Sequence, residues 1–279
     1  MKKIIIHYPF VPNYRIPIFN ALQDCQDIEL LVMSANKSND ATLLSENKGW
    51  RFKHIETKLM SFSLVGKLFE YETCVISSLF KNRNQYDTYV ILSNPNILSS
   101  WIYSLFAKLL GFKVVFWGHG LLKKDHGLKK VIRGIYYKIP DKFWLYGNKA
   151  KSLMVSENIK SSKLDVIYNS LDYELQKNLY IDKIEYKDQI RESLDIKNNE
   201  FVIICIGRLL NKLKINQVIE SIHIASQRNL TLKVIIIGEG PEESNLKRIA
   251  DNLQVSDKVV FTGAIYDEEI LSNYYIASN

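Results

Sequence analysis

The fold is decided by residues 201–241, which read FVIICIGRLLNKLKINQVIESIHIASQRNLTLKVIIIGEGP. Two apolar runs, Phe201–Ile206 and Leu232–Ile237, each stop at a glycine, and such near-continuous runs are typical of strands buried on both faces of a parallel sheet. The apolar residues between the two runs recur at helical spacing, at Ile215, Val218, Ile219 and Ile222. The stretch therefore predicts a strand–helix–strand unit of a parallel sheet.

The same alternation extends along the chain in both directions. Downstream, we expect a helix over 242–253, a third strand over 258–261 and a helix over 267–276. Upstream, short β-rich runs alternate with helical stretches, and the predicted strands are Lys3–Tyr8, Ile28–Met33, Tyr89–Leu92, Lys113–Trp117, Lys142–Tyr146 and Asp165–Tyr168. This pattern predicts the α/β class, with parallel sheets covered by helices.

A polar, charged stretch without a strong β run separates the two halves of the chain. We therefore expect two Rossmann-like domains, the first over residues 1–170 and the second over residues 200–279, with residues 171–199 as the interdomain connection. A doubly wound sheet is built from two halves of about three strands each. The three strand–helix units of the second domain thus predict an incomplete sheet and a truncated chain.

Two predicted helices of the first domain have broad apolar stripes. The first stripe predicts a buried helix that Gly111 ends, and its members are Ile97, Leu98, Trp101, Ile102, Leu105, Phe106 and Leu109. Lys108, Gly111 and Lys113 interrupt this apolar region, so a membrane-spanning helix is not expected. The second stripe has cationic side chains largely around it, and its members are Leu128, Val131, Ile132, Ile135 and Ile139.

Composition excludes several classes of protein. With 47% hydrophobic and 24% charged residues, the chain can bury a substantial core, which excludes disordered and fibrous proteins. Cys25, Cys74 and Cys205 form no CxxC pair and are typical of reduced thiols in a cytoplasm. Residues 1–11 contain no small-residue cleavage site and predict a first strand instead of a signal peptide. We therefore expect a cytoplasmic protein.

Charge is distributed unevenly along the chain. The net charge is +7, but residues 1–163 hold 24 Lys and Arg against 12 Asp and Glu, whereas residues 164–279 hold 13 against 18. A basic first domain favours an anionic partner, and no recognisable RNA- or DNA-binding module accompanies the charge. Cations and amphipathic aromatics occur together at Lys123, Lys124, Lys129, Lys130, Arg133, Tyr136, Tyr137 and Lys138. This cluster predicts docking on an anionic membrane surface, with a solvated basic helix as the competing interpretation.

A phosphate site is predicted where the first strand of the second domain ends. Gly207 lets the backbone approach a ligand closely, and the following helix offers free amide groups. Arg208, Lys212 and Lys214 add positive charge beside that turn. These features favour binding of a diphosphate, although a solvated basic loop would have the same composition.

Glycine also follows the next two strands. Gly238 and Gly240 stand at the second strand-to-helix turn, and Thr262 and Gly263 stand at the third. The carboxyl ends of parallel strands meet at one edge of the sheet, so the three turns predict a single crevice. A dinucleotide-binding fingerprint would have its third glycine at the position of Glu243, so this chain departs from that fingerprint.

His119 is the candidate functional histidine of the first domain. It follows a predicted strand and lies between Gly118 and Gly120, which expose the side chain and free its backbone. A structural histidine is the alternative. His7, His54 and His223 are expected to be structural, and His126 to be a solvated residue at a helix start.

Several motifs together resemble glycosyltransferase family 4, a group 1 family with the GT-B fold. The matching pieces stand in the family's order: residues 12–22 in the first loop, His119, residues 169–172 (NSLD), residues 207–209 (GRL), residues 238–241 (GEGP) and residues 261–263 (FTG). Three positions depart from the family pattern. The glycine pair of the first loop is absent, Ser170 replaces a glycine, and Leu213, flanked by Lys212 and Lys214, replaces a lysine.

The resemblance implies a retaining, metal-independent glycosyltransferase that moves a sugar from a nucleotide-diphosphate donor to an acceptor hydroxyl, with no cofactor. It implies a hexosyltransferase of bacterial surface polysaccharide synthesis, cytoplasmic or peripheral on the inner face of the membrane. His119 would be catalytic, near the transferred sugar, and the first domain would hold a sugar or lipid-linked oligosaccharide acceptor. The donor-binding residues would be Asn169, Gly207, Arg208, Lys212, Lys214, Gly238, Gly240, Thr262 and Gly263.

Other classes of protein stay open on the sequence alone. A truncated or decayed glycosyltransferase could serve as a non-catalytic nucleotide-binding or scaffold protein. A nicotinamide-dependent oxidoreductase is disfavoured because the third glycine and an acidic ribose ligand are missing. The chain stops at Asn279, where members of the family continue into a further strand and the segment that holds the donor's sugar and ribose. We therefore expect this chain to lack turnover.

Overall fold

The computed structural model describes residues 1–36, 49–64 and 67–279, of which the side chains of 61–64 and 67–70 are not considered. The chain divides into two compact units, Met1–Asp172 and Tyr173–Asn279. Residues 173–199, assigned to the interdomain connection from the sequence, form helices that belong to the second unit.

The first unit alternates strands and helices. Its elements are β1 (Lys2–Phe10), α1 (Ile16–Asp24), β2 (Ile28–Ala35), β3 (Lys53–Thr57), β4 (Leu59–Leu64), β5 (Lys67–Glu72), α2 (Val75–Asn82), β6 (Thr88–Leu92), α3 (Leu98–Leu109), β7 (Lys113–Gly118), α4 (Gly127–Tyr136), β8 (Lys142–Leu145), α5 (Asn148–Ser156) and β9 (Leu164–Val166). Seven of the strands form a parallel sheet in the order β3-β2-β1-β6-β7-β8-β9, whereas β4 and β5 form an antiparallel hairpin. The expected α/β class with a parallel sheet is confirmed.

Three strands of this unit escape sequence-based prediction. The segment KHIET of β3 has a single large aliphatic residue, and it is a strand because β2 pairs with it in parallel register. The hairpin β4–β5 has only six residues in each strand and lies outside the parallel sheet. These strands depend on tertiary pairing, which β-propensity does not capture.

Both faces of the seven-stranded sheet are buried. On one face α1 contributes Phe19 to the core, and on the other α2, α3, α4 and α5 contribute Leu79, Ala107, Tyr136 and Met154. Strand side chains alternate between the two cores, as in the neighbours Ile4 and Ile5 of β1. Burial on both faces explains why the strands read as continuous apolar runs.

Four members of the apolar stripe of α3 are exposed, contrary to the prediction of a buried helix, whereas Trp101 and Phe106 of the same stripe pack partly buried against the core. Leu98, Ile102, Leu105 and Leu109 are 46 to 84% exposed. The side chains that face the core are smaller or more polar: Ser100, Tyr103, Ser104 and Ala107. Small residues let the helix lie close to the sheet, and the hydroxyl of Ser104 donates to the carbonyl of Ser100. The outer surface of the helix is therefore apolar.

The apolar stripe of α4 is also largely exposed, whereas Ile139, which follows the helix, packs partly buried against the core. Leu128, Val131, Ile132 and Ile135 are 45 to 73% exposed, whereas Tyr136 is fully buried. Tyr136 anchors the helix by packing on Phe116 and hydrogen-bonding to the hydroxyl of Ser100. Tyr136 and Tyr137, predicted as interfacial aromatics, belong to the core instead. They are buried because their rings cover Phe143 and Phe116 of the sheet.

The second unit contains a smaller parallel sheet. Its elements are α6 (Tyr173–Lys183), α7 (Lys187–Ser193), β10 (Phe201–Ile206), α8 (Ile215–Gln227), β11 (Leu232–Ile237), α9 (Glu243–Asn252), β12 (Val259–Gly263) and α10 (Glu268–Ala277). The strand order is β10-β11-β12, with both pairs parallel. The bounds of β10 and β11 agree with the prediction residue for residue.

The helices α8 and α9 pack on one face of this sheet, and α7 and α10 pack on the other. Within the described part of the chain, β10 pairs with no strand other than β11. Val202 is bonded on the edge away from β11, because its amide donates to Asn279 Oδ1 at 2.9 Å and its carbonyl accepts from the amide of Asn279 at 3.1 Å.

Candidate functional site

The carboxyl ends of β10, β11 and β12 bring three glycine turns together. The amide of Gly207 donates to the carbonyl of Ile237 at 2.9 Å, and the amide of Gly238 donates to the carbonyl of Gly263 at 2.8 Å. The second turn is also bonded to the first, since the amide of Leu209 donates to the carbonyl of Glu239 at 2.9 Å. The four glycines predicted for the donor site therefore lie in one layer of backbone at one edge of the sheet.

Gly238 and Gly240 are required by the packing of this layer. A β-carbon on Gly238 would lie 1.9 Å from the carbonyl oxygen of Gly207, and one on Gly240 would lie 2.4 Å from that of Leu209. Any side chain at either position would push the first turn away from the second. The sequence interpretation attributed these glycines to the approach of a ligand, whereas the structure shows that backbone approaches them.

Gly207 and Gly263 are the more open members of the layer. Both have positive φ, +151° and +75°, and a β-carbon on either would meet no atom closer than 3.9 Å. Thr262 lies beside them, and its hydroxyl donates to the carbonyl of Gly263 at 2.9 Å. Open glycines at a strand end leave room for a ligand next to the backbone.

Three cationic side chains surround the first turn. Arg208, Lys212 and Lys214 are all exposed. A 3-10 turn, Asn211–Leu213, lies between the strand and α8, which begins at Ile215, the first residue of its predicted apolar face. Lys214 takes the left-handed conformation, with φ of 57°, and directly precedes the first residue of α8. Positive side chains and a helix N-terminus therefore occur together at this edge, which favours an anion.

The predicted histidine of the first unit lies at the carboxyl end of β7. His119 is exposed, and its ring meets that of Tyr146 edge-on, with 4.8 Å between centroids. Gly120 has φ of +61°, and a β-carbon there would lie 2.8 Å from both the Leu145 and Met154 side chains. The glycine thus lets the chain turn over the end of β8 and leaves the imidazole at the surface.

Arg15 is a feature of this region that the sequence interpretation missed as a site residue. It is 3% exposed, and its guanidinium carbon lies 5.2 Å from the Trp117 ring centroid and 5.8 Å from that of Tyr146. Its Nη2 donates to Asn169 Oδ1 at 2.5 Å, and its Nη1 donates to the carbonyl of Ser170 at 3.5 Å. No carboxylate in the described ranges lies within ion-pair distance of Arg15, so aromatic faces and neutral oxygens hold the buried cation.

These contacts bring Asn169 into the same cluster as His119 within the first unit. Asn169 belongs to the first unit, where Arg15 joins it to Tyr146, whose ring meets His119. A lone arginine after the first strand gives little signal in a sequence. Its environment is formed by the neighbouring Tyr14 ring together with the rings of Trp117 and Tyr146, which come from two distant segments.

Tyr146 has an altered acidity. Burial, together with the neighbouring Tyr8, raises the pKa of Tyr146 to about 12, and the nearby Arg15 guanidinium only partly opposes this shift. The phenol therefore stays protonated at neutral pH. It can serve as a hydrogen-bond donor beside His119.

The three histidines expected to be structural have partners within the protein, whereas His126 is exposed at the start of α4. His7 is buried, with Nδ1 2.7 Å from the hydroxyl of Tyr89 and Nε2 3.0 Å from Glu72 Oε1. His54 lies against Trp50, and burial lowers its pKa. Nδ1 of His223 is 2.9 Å from the carbonyl of Leu253.

No group of three or more His, Cys, Asp or Glu side chains in residues 1–36, 49–64 and 67–279 could hold a metal ion. Nor does any helix among those residues combine the length and apolarity needed to cross a bilayer.

The second unit is similar in sequence to a known protein family. Residues 186–278 match the family Glycosyl transferases group 1, a range that covers β10–β12 and all three glycine turns. The resemblance to group 1 glycosyltransferases is thereby confirmed. Alpha-monoglucosyldiacylglycerol synthase of Streptococcus pneumoniae is 28% identical over 95 residues, which are 34% of this chain and 22% of that glycosyltransferase. The chain thus spans less than a quarter of the curated relative in this match.

Solved structures share the fold of the whole chain. The Anabaena protein HepE in complex with UDP has a TM-score of 0.70 and 16% identity, and the alignment covers 100% of this chain and 72% of that one. UDP-GlcNAc 2-epimerase of Neisseria meningitidis, bound to UDP-GlcNAc, has a TM-score of 0.58 and 16% identity, with coverage of 99% and 75%. The fold alone therefore does not separate group 1 glycosyltransferases from epimerases, whereas the sequence match over residues 186–278 favours the former.

Proposed function

We propose that the chain belongs to a retaining glycosyltransferase that takes its sugar from a nucleoside diphosphate donor, with uridine as the base. The observation that carries the proposal is the edge formed by Gly207 and Gly263 with Arg208, Lys212 and Lys214 around it. This edge lies inside the segment that matches group 1 glycosyltransferases. The HepE structure of similar fold contains UDP, which supports uridine as the base.

In the proposed reaction, the bond between the anomeric carbon of the sugar and the diphosphate oxygen breaks. A bond from the acceptor oxygen to the same carbon forms on the same face, so the configuration is retained. The diphosphate leaves with the bonding electron pair, and its oxygen takes up the proton that the acceptor hydroxyl loses. The chemical demand is thus to stabilise negative charge on the leaving diphosphate.

The cations of the second unit meet this demand without a metal ion. Arg208 has planar donors suited to two phosphate oxygens, whereas Lys212 and Lys214 add compact charges on either side of Leu213. The amides at the start of α8 add the positive end of a helix dipole. We therefore propose metal-independent catalysis with no cofactor.

The first unit would contribute the acceptor side. We propose that His119, exposed beside the protonated Tyr146, contacts the transferred sugar and the incoming hydroxyl. Asn169 would present its amide nitrogen to the substrate, because Arg15 already occupies its oxygen. In this proposal Asn169 acts with His119, although the family resemblance placed it with the donor.

We propose that the acceptor is a membrane amphiphile. The hydroxyl that receives the sugar would belong to a sugar or to a lipid-linked oligosaccharide. The name of the curated relative, a monoglucosyldiacylglycerol synthase, supports a lipid acceptor. Synthesis of a bacterial surface polysaccharide at the cytoplasmic face of the membrane fits such an acceptor.

Calorimetric titration of the chain with UDP, GDP and ADP tests the donor site. We expect UDP to bind and Arg208→Ala to weaken its binding by about ten- to a hundredfold, because a charged hydrogen bond to phosphate contributes roughly 1.5 to 3 kcal/mol. Arg228→Ala is the matched control, since Arg228 is equally exposed but lies at the other end of α8. Equal UDP affinity in the parent and Arg208→Ala would overturn the assignment.

The reaction class is tested with the complete enzyme and a UDP-sugar. Release of UDP that requires an acceptor supports transfer. Interconversion of two UDP-sugars without an acceptor would indicate an epimerase, and UDP binding without either reaction would indicate a scaffold.

A further inference from the structure

We propose that the outer surface of α3 and α4 docks on an anionic lipid bilayer. We define the α3–α4 face as eight exposed apolar side chains: Leu98, Ile102, Leu105, Leu109, Leu128, Val131, Ile132 and Ile135. The inference deepens the proposed function, since it supplies the surface on which a lipid acceptor would be met, and it depends on none of the donor-site residues.

The exposure of this face is the first observation. Each of the eight side chains exposes between 45 and 84% of its surface, and they recur at helical spacing along α3 and α4. Single exposed apolar residues are ordinary on soluble proteins, but two adjacent helices with apolar outer stripes form a contiguous patch of the kind that marks an interaction site.

The two helices are joined side by side. The Ser100 and Tyr136 hydroxyls are hydrogen-bonded, and the rings of Trp101 and Tyr136 lie 4.8 Å apart. A cavity of about 310 Å³ between the start of α3 and α4 is lined partly by Leu128 and Ile132. The stripes therefore lie on the same side of the sheet and form one surface.

Cationic side chains at the margin of the α3–α4 face favour an anionic partner. Lys123, Lys124 and Lys138 are exposed and form no ion pair with a carboxylate in the described part of the chain. Lys129 and Lys130 are exposed as well, although Lys129 lies 3.5 Å from a carboxylate oxygen of Asp125 and Lys130 lies 2.5 Å from one of Glu157. Lysines bordering an apolar helix face are typical of helices that lie in a membrane interface, where long side chains reach the lipid headgroups.

A larger cavity opens beside the same face. It has a volume of about 620 Å³, lies between α2 and α3, and is lined in part by Ile76, Leu98 and Ile102. Two of these side chains belong to the α3–α4 face. A volume in the range of ligand sites, roughly 300–1,000 Å³, offers space for hydrocarbon at the edge of the docking surface.

A second copy of the chain would be a poorer occupant of this face. Two copies in isologous contact would bring the cationic margins of both together, which costs free energy through like-charge repulsion. An anionic headgroup layer offsets the same charges at about 1 kcal/mol for each lysine near the surface.

Vesicle co-sedimentation tests the proposal with the 279-residue chain. The vesicles are phosphatidylcholine alone or phosphatidylcholine mixed with phosphatidylglycerol, at low and at high salt. We expect binding to the anionic vesicles that weakens as salt rises. The double variant Val131→Ser/Ile135→Ser should bind at least about tenfold more weakly, because two apolar side chains no longer enter the boundary between headgroups and acyl chains. The variant Lys123→Glu/Lys124→Glu should bind at least about thirtyfold more weakly, because it replaces two favourable charges by two repulsive ones.

The matched control is Ile224→Ser, because Ile224 is 53% exposed on α8 of the second unit and should leave vesicle binding unchanged. All substituted side chains are exposed, so the variants are expected to fold, and circular dichroism checks this. Vesicle binding that is absent in the parent, or unchanged in Val131→Ser/Ile135→Ser, would overturn the proposal. Sedimentation of the parent as a dimer that the same variant dissociates would assign the face to a second copy and would also overturn it. UDP affinity, measured without vesicles, reports separately on the proposed function.

Discussion

Nη2 of Arg15 donates to Oδ1 of Asn169 at 2.5 Å, across 154 positions of sequence. The bond joins the loop after the first strand to the segment after the last strand of the seven-stranded sheet. Arg15 also packs against the rings of Trp117 and Tyr146, and the Tyr146 ring contacts that of His119. Arg15 therefore fixes the surroundings of His119 through Tyr146. A buried arginine thus positions both predicted site residues of the first unit.

Replacing Arg15 should therefore loosen this region. Arg15→Lys keeps the charge but loses the planar donors, and we expect the free energy of unfolding to fall by about 2 kcal/mol, the value of a charged hydrogen bond with its partner left behind. Urea denaturation measures the change. Arg51→Lys is the control, since the ion pair of Arg51 with Asp24 is largely exposed and should contribute little. An equal effect of the two substitutions would contradict the role of Arg15.

The glycine layer of the second unit makes a separate prediction. Gly238→Ala should lower the free energy of unfolding by about 2 kcal/mol or more, because its β-carbon would overlap the carbonyl oxygen of Gly207. Gly134→Ala is the contrasting substitution, since Gly134 lies within α4 with no atom within 4 Å of an added β-carbon. We expect it to stabilise the protein by about 0.5–1 kcal/mol. Thermal melting of both variants checks the opposite signs, and a stable Gly238→Ala would contradict the close approach.

The sequence predicts strands better than it predicts which face of a helix is buried. Runs such as Phe201–Ile206 identify themselves because both faces of a parallel strand are covered. The stripe of α3 is misleading, because periodicity shows that apolar residues share a face but not that the face meets the core. In α3 the core contact is made by Ser100, Ser104 and Ala107, whose small size lets the helix approach the sheet.

The candidate site also contains some residues that the sequence identifies and others that it does not. Gly207, Gly238 and Gly263 could be found from the sequence because glycine after a strand has few other uses, and the structure brings them together. The packing role of Gly238 could not be found from the sequence, since it depends on the distance between two loops. Arg15 likewise has no local signal, because its hydrogen-bond partners are separated from it by more than 100 positions.

The phenol of Tyr146 predicts a loss of stability at alkaline pH. Its pKa is raised to about 12 in the folded protein, whereas a tyrosine in the unfolded chain ionises near pH 10. The folded state therefore keeps a proton that the unfolded state loses, so stability is fully present below about pH 10 and falls as pH rises toward about 12. We expect Tyr146→Phe to lose less stability than the parent between about pH 9 and 11, measured by urea denaturation. Parallel pH profiles would contradict the shift.

The last prediction concerns Arg191, which joins three segments of the second unit: α7, the loop over residues 197–200 and the end of α10. It is 4% exposed, and its guanidinium donates to the carbonyl of Ala277 at 2.6 Å, to that of Glu200 at 2.6 Å and to that of Lys197 at 3.0 Å. The carbonyl of Ala277 lies at the end of α10, where a cation interacts favourably with the helix dipole.

Arg191→Met keeps much of the apolar stem but leaves these three buried carbonyls without their donors. We expect the free energy of unfolding to fall by about 3 kcal/mol, since each unsatisfied buried group costs roughly 1 to 3 kcal/mol and the segments can relax toward water. Hydrogen exchange should locate the loss in α7 and α10 and leave amides of the seven-stranded sheet protected, because Arg191 contacts only the second unit. Arg248→Met, at an exposed position on α9, is the control and should change neither measurement. Uniform loss of protection in both units would show that Arg191 acts on the whole chain and not through these carbonyls.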